Sequence, residues 1–303
     1  MLTRSQSEFL AFAHNCAADF GPATARAAFL VAPDGFARAD ESARDNRYMA
    51  QANGFDARAA QAQHRELQRA LAAELPVVCF SGGSDTPDAL FPNNVFATVP
   101  GRLVVGRMRH EIRQREATRR DIREFFTGLL GYHEVDLSRQ SHPCELTGAL
   151  VIDRARGLGF CGLSERCDET GAALMHEAFG LRATLMFDLA PHEYHTNVVL
   201  AVLAGRAALV CPAGFADETV AEAIASLYSP YGIFLSGPEH AAFAGNAITL
   251  SAGTVWMSAG AEAALAADTR ARLLEAGFAT RSVLLEALEA AGGSLRCCVA
   301  EIF

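Results

Sequence analysis

The chain has 303 residues, half of them apolar, enough to bury a sizeable core in one large domain or two smaller ones. A net charge of −9 argues against a nucleic-acid surface, which needs clustered cations. All 26 basic residues are arginine, and the lack of lysine excludes Schiff-base chemistry, pyridoxal attachment through lysine and a P-loop.

The first twenty residues mix charged and apolar side chains, so no secretion signal is expected. Residues 4–30 carry a helical rhythm that leads into a short strand, Ala28 to Ala32. Residues 55–74 repeat apolar positions at about 3.6-residue spacing and predict a helix that Pro76 ends. Val77 to Phe80 reads as a strand, followed by the loop 81–87. Stretches 95–99 and 102–106 flank Pro100-Gly101 and predict a hairpin, and an Arg/Glu-rich helix is expected over 111–130. The order then recurs. A hairpin over 149–153 and 159–162 precedes a helix at 168–179 and a strand at 182–187. Strands 197–203 and 206–211 precede a helix at 216–228. Strands 247–251 and 254–258 precede a helix at 261–276, and the last strand is Cys298 to Phe303.

The unit strand, turn, strand, helix, strand thus repeats four or five times at spacings of about 50 residues, in pattern and not in identity. With no linker between units, the expectation is one α/β domain over 1–303. A cyclic arrangement would let the C-terminal strand complete an N-terminal sheet; an open two-sheet α/β fold is the alternative. No run of about 18 apolar residues is present, so no spanning helix is expected. The eight cysteines mostly sit in apolar runs without Cys-x-x-Cys spacing, which reads as reduced thiols of a cytoplasmic protein and not as disulfides or a zinc site.

Four loops place polar residues beside Gly or Pro, where catalytic groups are usually displayed. Asn93 and Asn94 follow Phe91-Pro92, although an Asx turn would explain them equally. Glu145 precedes an apolar strand, either pointing into a cleft or solvated. In Pro191-His192-Glu193-Tyr194-His195 the spacing does not fit a helical zinc motif. His192 reads as a surface residue, and His195 is the better functional imidazole. Gly292-Gly293-Ser294-Leu295-Arg296-Cys297-Cys298 offers backbone that a ligand can approach, with an arginine next to a thiol, or else a buried terminal strand. Together these supply a nucleophile, a base and a carboxylate to orient the base.

The segments PDALFPNNVFAT, GALVIDRARGLGFCGLSERCDE, YHTNVVLAV, FAGNAITL and GGSLRCCVAEIF carry a resemblance from about residue 87 to the C-terminus. The chain resembles the guanidino-group modifying superfamily of arginine deiminases, dimethylarginine dimethylaminohydrolases and amidinotransferases. It is most similar to arginine deiminase-related and citrulline-utilisation hydrolases. The resemblance implies a five-bladed β/α propeller. It implies Cys297 as nucleophile, His195 as general acid/base and Glu145 as the carboxylate touching both imidazole and substrate. Asp88 and Asn94 fall on substrate-contacting positions, Arg166 on an arginine near the substrate carboxylate, and Arg115, with Arg113 beside it, on a further binding position. Leu146 departs from a usual glycine, the C-terminal glycine run is one shorter than in many relatives, and Asn94 replaces the aspartate of deiminases. A neutral amide should hold a cationic guanidinium less strongly and tolerate a ureido group. The implied activity is hydrolysis of a C–N bond of a guanidino or ureido amino acid, releasing ammonia. Deimination to citrulline, amidino transfer or a silent binding protein are the alternatives. Neither a metal nor an organic cofactor is called for. The expected partner is a small-molecule amino acid, with no nucleic acid and no membrane, and a homodimer is left open.

Overall fold

In the computed structural model, which describes residues 1–52 and 54–303, the strands fall into five separate sheets. Leu2–Thr3 (β1), Ala27–Val31 (β2) and Val77–Phe80 (β3) come first in the chain. Four successive stretches then each supply three strands. They are Phe96–Val99 (β4), Arg102–Val105 (β5) and His133–Asp136 (β6); Leu150–Asp153 (β7), Leu158–Leu163 (β8) and Ala183–Asp188 (β9). Next come Leu200–Leu203 (β10), Ala207–Val210 (β11) and Gly232–Phe234 (β12), then Ile248–Ser251 (β13), Thr254–Ser258 (β14) and Ala279–Val283 (β15). Ala300–Ile302 (β16) is last.

In each of the four stretches the first two strands form an antiparallel hairpin, and the third joins the second in parallel. A parallel return cannot be made by a tight turn, so helical segments bridge it. The fifth sheet repeats the pattern from the two ends of the chain: β16 pairs antiparallel with β2, and β2 pairs in parallel with β3. The C-terminal strand therefore completes the N-terminal sheet, and β1 adds to the edge of β9. Hairpin turns at Gly101 (φ 74°) and Gly205 (φ 69°) use the left-handed region that glycine takes without strain.

The longer helices are Gln6–Ala13 (α1), Ala57–Ala72 (α2), Glu169–Phe179 (α3), Glu218–Ser226 (α4) and Ala267–Glu275 (α5). In α2 the Asp56 carboxylate caps the amides of Arg58 and Ala59, and Ala60, His64, Leu67 and Leu71 bury one face. Asp168 caps α3 at its start, and Gly180, left-handed at φ 64°, ends it.

Several expected elements differ. The helix over 111–130 is broken into Glu111–Gln114, a tighter turn Arg115–Thr118, Arg120–Glu124 and a wide turn Phe125–Leu129. Arg119 leaves helical geometry (ψ 99°) while its guanidinium binds Asp121 and the Ser81 carbonyl. The helix over 261–276 divides into Ala259–Ala264 and α5, with the Ala266 N–H bound to the Glu239 carboxylate. Strands β6, β12 and β15 were not anticipated. They are the third strands of their sheets and partly exposed; β6 and β15 are mixed in polarity, and β12 is only three residues long. The first strands are buried, as in β4, where every residue is buried. They lie against one another: β16 against β4, β7 against β10 and β10 against β13.

Deleting Ala300–Phe303 removes the first strand of the fifth sheet and two buried side chains, Ile302 and Phe303. Burial of those two alone contributes about 3–6 kcal/mol. The truncated chain is expected to lose its cooperative thermal unfolding transition, checked by a circular-dichroism melting curve.

Candidate active site

Four of the five first strands are preceded by a short buried helical turn. These are Pro92–Asn94 before β4, Leu146–Ala149 before β7, Thr196–Val199 before β10 and Leu295–Cys298 before β16. The approach to β13 passes through Asn246. At these points stand Asn94, Glu145, His195, Asn246 and Cys297, none more than 3% exposed. Glu145 and His195 are 50 residues apart, Asn246 and Cys297 51. Hydrogen bonds lace neighbouring turns together: Thr147 Oγ1 donates to the Asn93 carbonyl (3.0 Å), Asn197 Nδ2 to the Thr147 carbonyl (3.1 Å), and Asn246 Nδ2 to the Asn197 carbonyl (2.8 Å).

His195 Nε2 lies 2.8 Å from Glu145 Oε2. A carboxylate only accepts, so Nε2 carries the proton and Nδ1 is left as a lone-pair acceptor. Nδ1 is buried and has no partner. Burial pushes the His195 pKa down, against the pull of Glu145, and keeps the ring neutral. Burial alone would raise the Glu145 carboxyl, but the Arg166 guanidinium and the His195 hydrogen bond hold it down at about 2. Its other oxygen accepts from the Arg109 backbone N–H at 3.0 Å.

The Cys297 sulfur accepts from Asn246 Nδ2 (3.3 Å) and its thiol donates to Asn197 Oδ1 (3.7 Å). Burial raises its pKa, with the Asn246 hydrogen bond acting in the opposite direction, so the resting group is a thiol. Asp88 Oδ2 accepts from Ser42 Oγ at 2.6 Å, whereas Asp88 Oδ1 and Asn94 Oδ1 are buried without partners. Burial raises the Asp88 pKa, against the charge of Arg113. Arg113 makes a buried bidentate pair with Glu116, both bonds 2.9 Å.

Asp88, Asn94, Arg113, Arg166, His195 and Cys297 line one cavity, together with Ser42, Asn46, Gly292 and Gly293. Its roof is the segment Ser42–Ala50. Asp45 binds the Arg166 fork at 2.6 and 2.8 Å, Asn46 donates to the Gly292 carbonyl, and Arg47 pairs with Glu193 at 2.6 Å. The free space for a water-sized sphere is about 20 Å³, little more than one water molecule. Gly148 allows this closeness: a Cβ there would stand 2.5 Å from Asn94 Oδ1 and 2.9 Å from His195 Nδ1.

The structure thus gathers six of the residues singled out from sequence around one cavity, counting Arg113, with Glu145 behind His195. Three readings are corrected. Arg115 is exposed in a separate surface cleft beside the loop 81–86, because the turn that follows Arg113 carries it to the outer face. Arg113 takes the cavity position instead. Arg296 does not face the thiol: successive residues of its turn point opposite ways, and its guanidinium pairs with Glu301 at 3.0 Å. Asn93 and Asn94 form no Asx turn; both are buried within a helical turn. Arg166 reaches the cavity, but its fork is already occupied by Asp45, and Nη1 donates to Glu145 at 3.3 Å. His192 is half-exposed, as read. Leu146, where a glycine was expected, takes φ 23°, a conformation strained for leucine. Ser42, Asp45, Asn46, Asn197 and Asn246 were not anticipated. The repeat of about 50 residues was the signal for Asn246; nothing in the polar run 40–47 marks the roof. Among the described residues, no group of three His, Cys, Asp or Glu is placed to hold a metal ion.

Residues 32–303 match the family model described as N,N dimethylarginine dimethylhydrolase, eukaryotic. No curated protein matches the chain. Among solved structures, the N-terminal domain of ArgZ, an arginine dihydrolase from the ornithine-ammonia cycle in cyanobacteria, is similar in a substrate-bound Cys-to-Ser mutant. Its TM-score is 0.79 at 20% identity, covering 91% of this chain and 97% of that one. Unliganded AgrE gives 0.79 at 21% identity over 91% of this chain and 39% of its own. A His-to-Gly mutant of dimethylarginine dimethylaminohydrolase, in an adduct with S-methyl-L-thiocitrulline, gives 0.67 at 18% identity, covering 91% and 99%. At these identities the likeness is one of fold.

Gly148→Ala is expected to lower kcat/KM at least about tenfold while the protein stays folded, since one methyl group forced into close packing costs about 1–3 kcal/mol. Steady-state kinetics with a melting curve checks it. Acid should destabilise the fold. The Glu145 carboxyl, lower than 4.5 in the folded state, contributes stability above pH 4.5 that is lost as pH falls toward 2. His195, lowered from 6.5, adds a loss that begins below pH 6.5. Urea midpoints measured from pH 8 to about pH 2.5 should fall, and Glu145→Gln should flatten the slope below pH 4.5.

Proposed function

The chain belongs to the N,N-dimethylarginine dimethylhydrolase family, and from that premise we propose that it hydrolyses a C–N bond of a guanidino amino acid through a covalent Cys297 intermediate, releasing ammonia. One observation carries the assignment of residues. A thiol, a neutral imidazole with a free lone pair, and the unpartnered oxygens of Asp88 and Asn94 surround one cavity. A guanidinium group carries N–H donors and no acceptor, so it complements those orphaned oxygens.

In the proposed mechanism the Cys297 thiol gives its proton to His195 and the sulfur attacks the planar guanidinium carbon. The tetrahedral adduct loses one nitrogen as His195, now an acid, protonates it; the C–N bond breaks and an S-alkyl thiouronium remains. Water then attacks that carbon with His195 again as base, the C–S bond breaks, and the thiol is restored beside a ureido product. Glu145 keeps the imidazole in the working tautomer and stabilises its charged form. Arg166 is assigned to holding Glu145 and the roof through Asp45, and contact with a substrate carboxylate would require Asp45 to be displaced. The free space of about 20 Å³ is smaller than an amino acid, so side chains lining the cavity have to shift for binding.

The neutral Asn94 favours a second reading: its amide can donate to a ureido oxygen, which would allow a second hydrolysis to ornithine, carbon dioxide and ammonia. The five sheets are read as blades of a five-bladed β/α propeller forming one catalytic domain. The same strand order in every sheet and the mutual contacts of the buried first strands support this. A cytoplasmic setting agrees with eight free cysteines. Among the described residues, no helix is long and apolar enough to cross a membrane.

Product analysis with arginine, methylarginines, agmatine, N-acyl-arginines and citrulline tests the reading. One equivalent of ammonia with citrulline indicates single hydrolysis of arginine; two with ornithine indicate the double reaction. Cys297→Ser should lower turnover by at least about a thousandfold, and Cys298→Ala should keep it. Turnover by Cys297→Ser would overturn the assignment.

A further inference from the structure

Of the five side chains carried on the approaches to the first strands, the mechanism uses Asn94, Glu145, His195 and Cys297. The remaining one, Asn246, is fully buried and has three contacts to the nucleophile's own turn. Its Nδ2 donates to the Cys297 sulfur at 3.3 Å, its Oδ1 accepts from the Cys297 backbone N–H at 3.4 Å, and its carbonyl accepts from the Arg296 N–H at 3.4 Å.

We propose that Asn246 is a positioning residue for the nucleophile, its amide N–H stabilising the Cys297 thiolate while its amide oxygen fixes the turn that carries the sulfur. The proposal rests on the reading of Cys297 as nucleophile. The orientation of the amide is fixed at both ends. Nδ2 also donates to the Asn197 backbone carbonyl at 2.8 Å, which can only accept. Oδ1 faces a backbone N–H, which can only donate. A flipped amide would set oxygen against oxygen and N–H against N–H, so the group facing the sulfur is a donor.

Asn197 opposes it. Asn197 Nδ2 is committed to the Thr147 carbonyl, so its Oδ1 is the atom that faces Cys297, and it accepts from the thiol at 3.7 Å. An amide oxygen favours the protonated sulfur; an amide N–H favours the ionised one. The two asparagines therefore set the ionisation of Cys297 from opposite sides, and Asn246 is the one whose contribution grows when the proton leaves. The other ionisable groups around the sulfur or lining its cavity are Arg113, Arg166, Arg296, Asp88, Tyr194, Cys298 and His195. The arginines stay charged, Tyr194 and Cys298 are pushed well up by burial, and His195 is neutral above pH 6.5. Burial raises both Asp88 and Cys297, and alkylation, which reads the sulfur alone, separates the two when the series is carried above about pH 10.

The test is the pH dependence of iodoacetamide alkylation, read on the Cys297 peptide by mass spectrometry, in wild type, Asn246→Ala and Asn246→Asp, each with a melting curve. A hydrogen bond to an ionised group changes its equilibrium by about ten- to a hundredfold, so the midpoint in Asn246→Ala should rise by about 1–2 pH units. Asn246→Asp keeps the shape and the Oδ1 acceptor but replaces the donor with a charge. A carboxylate beside the sulfur raises the midpoint by repulsion in any case, so Asn246→Asp tests whether this side chain acts on the sulfur at all: an unchanged midpoint in the folded variant overturns the proposal, and Asn246→Ala tests the donor itself. Turnover should follow as a fall of about ten- to a hundredfold in kcat with KM nearly constant. If Asn246→Asp does not fold, Asn246→Ala decides alone. An unchanged midpoint in folded Asn246→Ala overturns the proposal. Alkylation is measured without substrate, so an inactive Cys297→Ser with an unchanged Asn246→Ala midpoint rejects only this inference. An active Cys297→Ser rejects the assignment of the nucleophile itself.

Discussion

Glu145 is a carboxylate with no solvent exposure that is held in its ionised form, and much of the site is arranged around that demand. An isolated buried charge would take up a proton instead. Here the charge is answered by the Arg166 guanidinium at 3.3 Å, the His195 N–H at 2.8 Å and a backbone N–H at 3.0 Å. Arg166 is itself buried, and its remaining N–H groups are taken from the roof by Asp45 at 2.6 and 2.8 Å and by the Ser42 carbonyl at 3.1 Å. The roof segment is thereby tied through Arg166 to Glu145.

The second constraint is geometric. Side chains that must meet come from residues 94, 145, 195, 246 and 297, and no local motif could bring them together. The fold does so by repetition. Each sheet presents the same point, just before its buried first strand, and the turns are joined by side chain to carbonyl hydrogen bonds from one sheet to the next. A group placed there sits on backbone whose neighbours are all hydrogen-bonded, so its rotamer has little freedom. The cost is tight packing, seen in the space that Gly148 leaves for Asn94 and His195 and in the strained backbone of Leu146.

Much of this was legible in sequence where physics is local. The hairpins over Pro100-Gly101 and Ala204-Gly205, the amphipathic helix α2 and the order of the repeating unit follow from turn chemistry and apolar spacing. Glu145 and His195 stood out as polar residues at the mouths of apolar strands, whereas the Gly-Gly-Ser-Leu-Arg-Cys-Cys segment offered two thiols, between which only the family resemblance chose Cys297. What was not legible depended on long-range contact. The direction of Arg296 could not be read because adjacent residues of one turn face different cavities, and Glu301, its partner, is on the following strand. The choice between Arg113 and Arg115 turns on a break in a helix that local propensity would have continued. The roof residues Ser42, Asp45 and Asn46 lie in a polar run with no periodicity, and their partners Asp88, Arg166 and Gly292 are distant in the chain.

The charge of the cavity bears on what the sulfur attacks. Replacing the deiminases' aspartate with Asn94 removes one carboxylate, which taken alone points toward a neutral ureido group. The structure weighs against taking it alone. Asp45, Asp88, Glu116 and Glu145 surround two guanidinium groups, Arg113 and Arg166, and both of these already have carboxylate partners. Asp88 keeps one buried oxygen without a donor, and burial lifts its pKa because no cation lies against it closely enough to compensate. A guanidinium would supply that donor and charge, whereas a ureido group has fewer N–H groups and no charge. In the proposed mechanism Asn94 would moderate a site that still favours a cation, and its amide N–H would serve once the first C–N bond has been cut and an oxygen stands where a nitrogen was. A neutral residue at this one position fits an enzyme that must bind a charged substrate and then tolerate, or release, a neutral product from the same cavity.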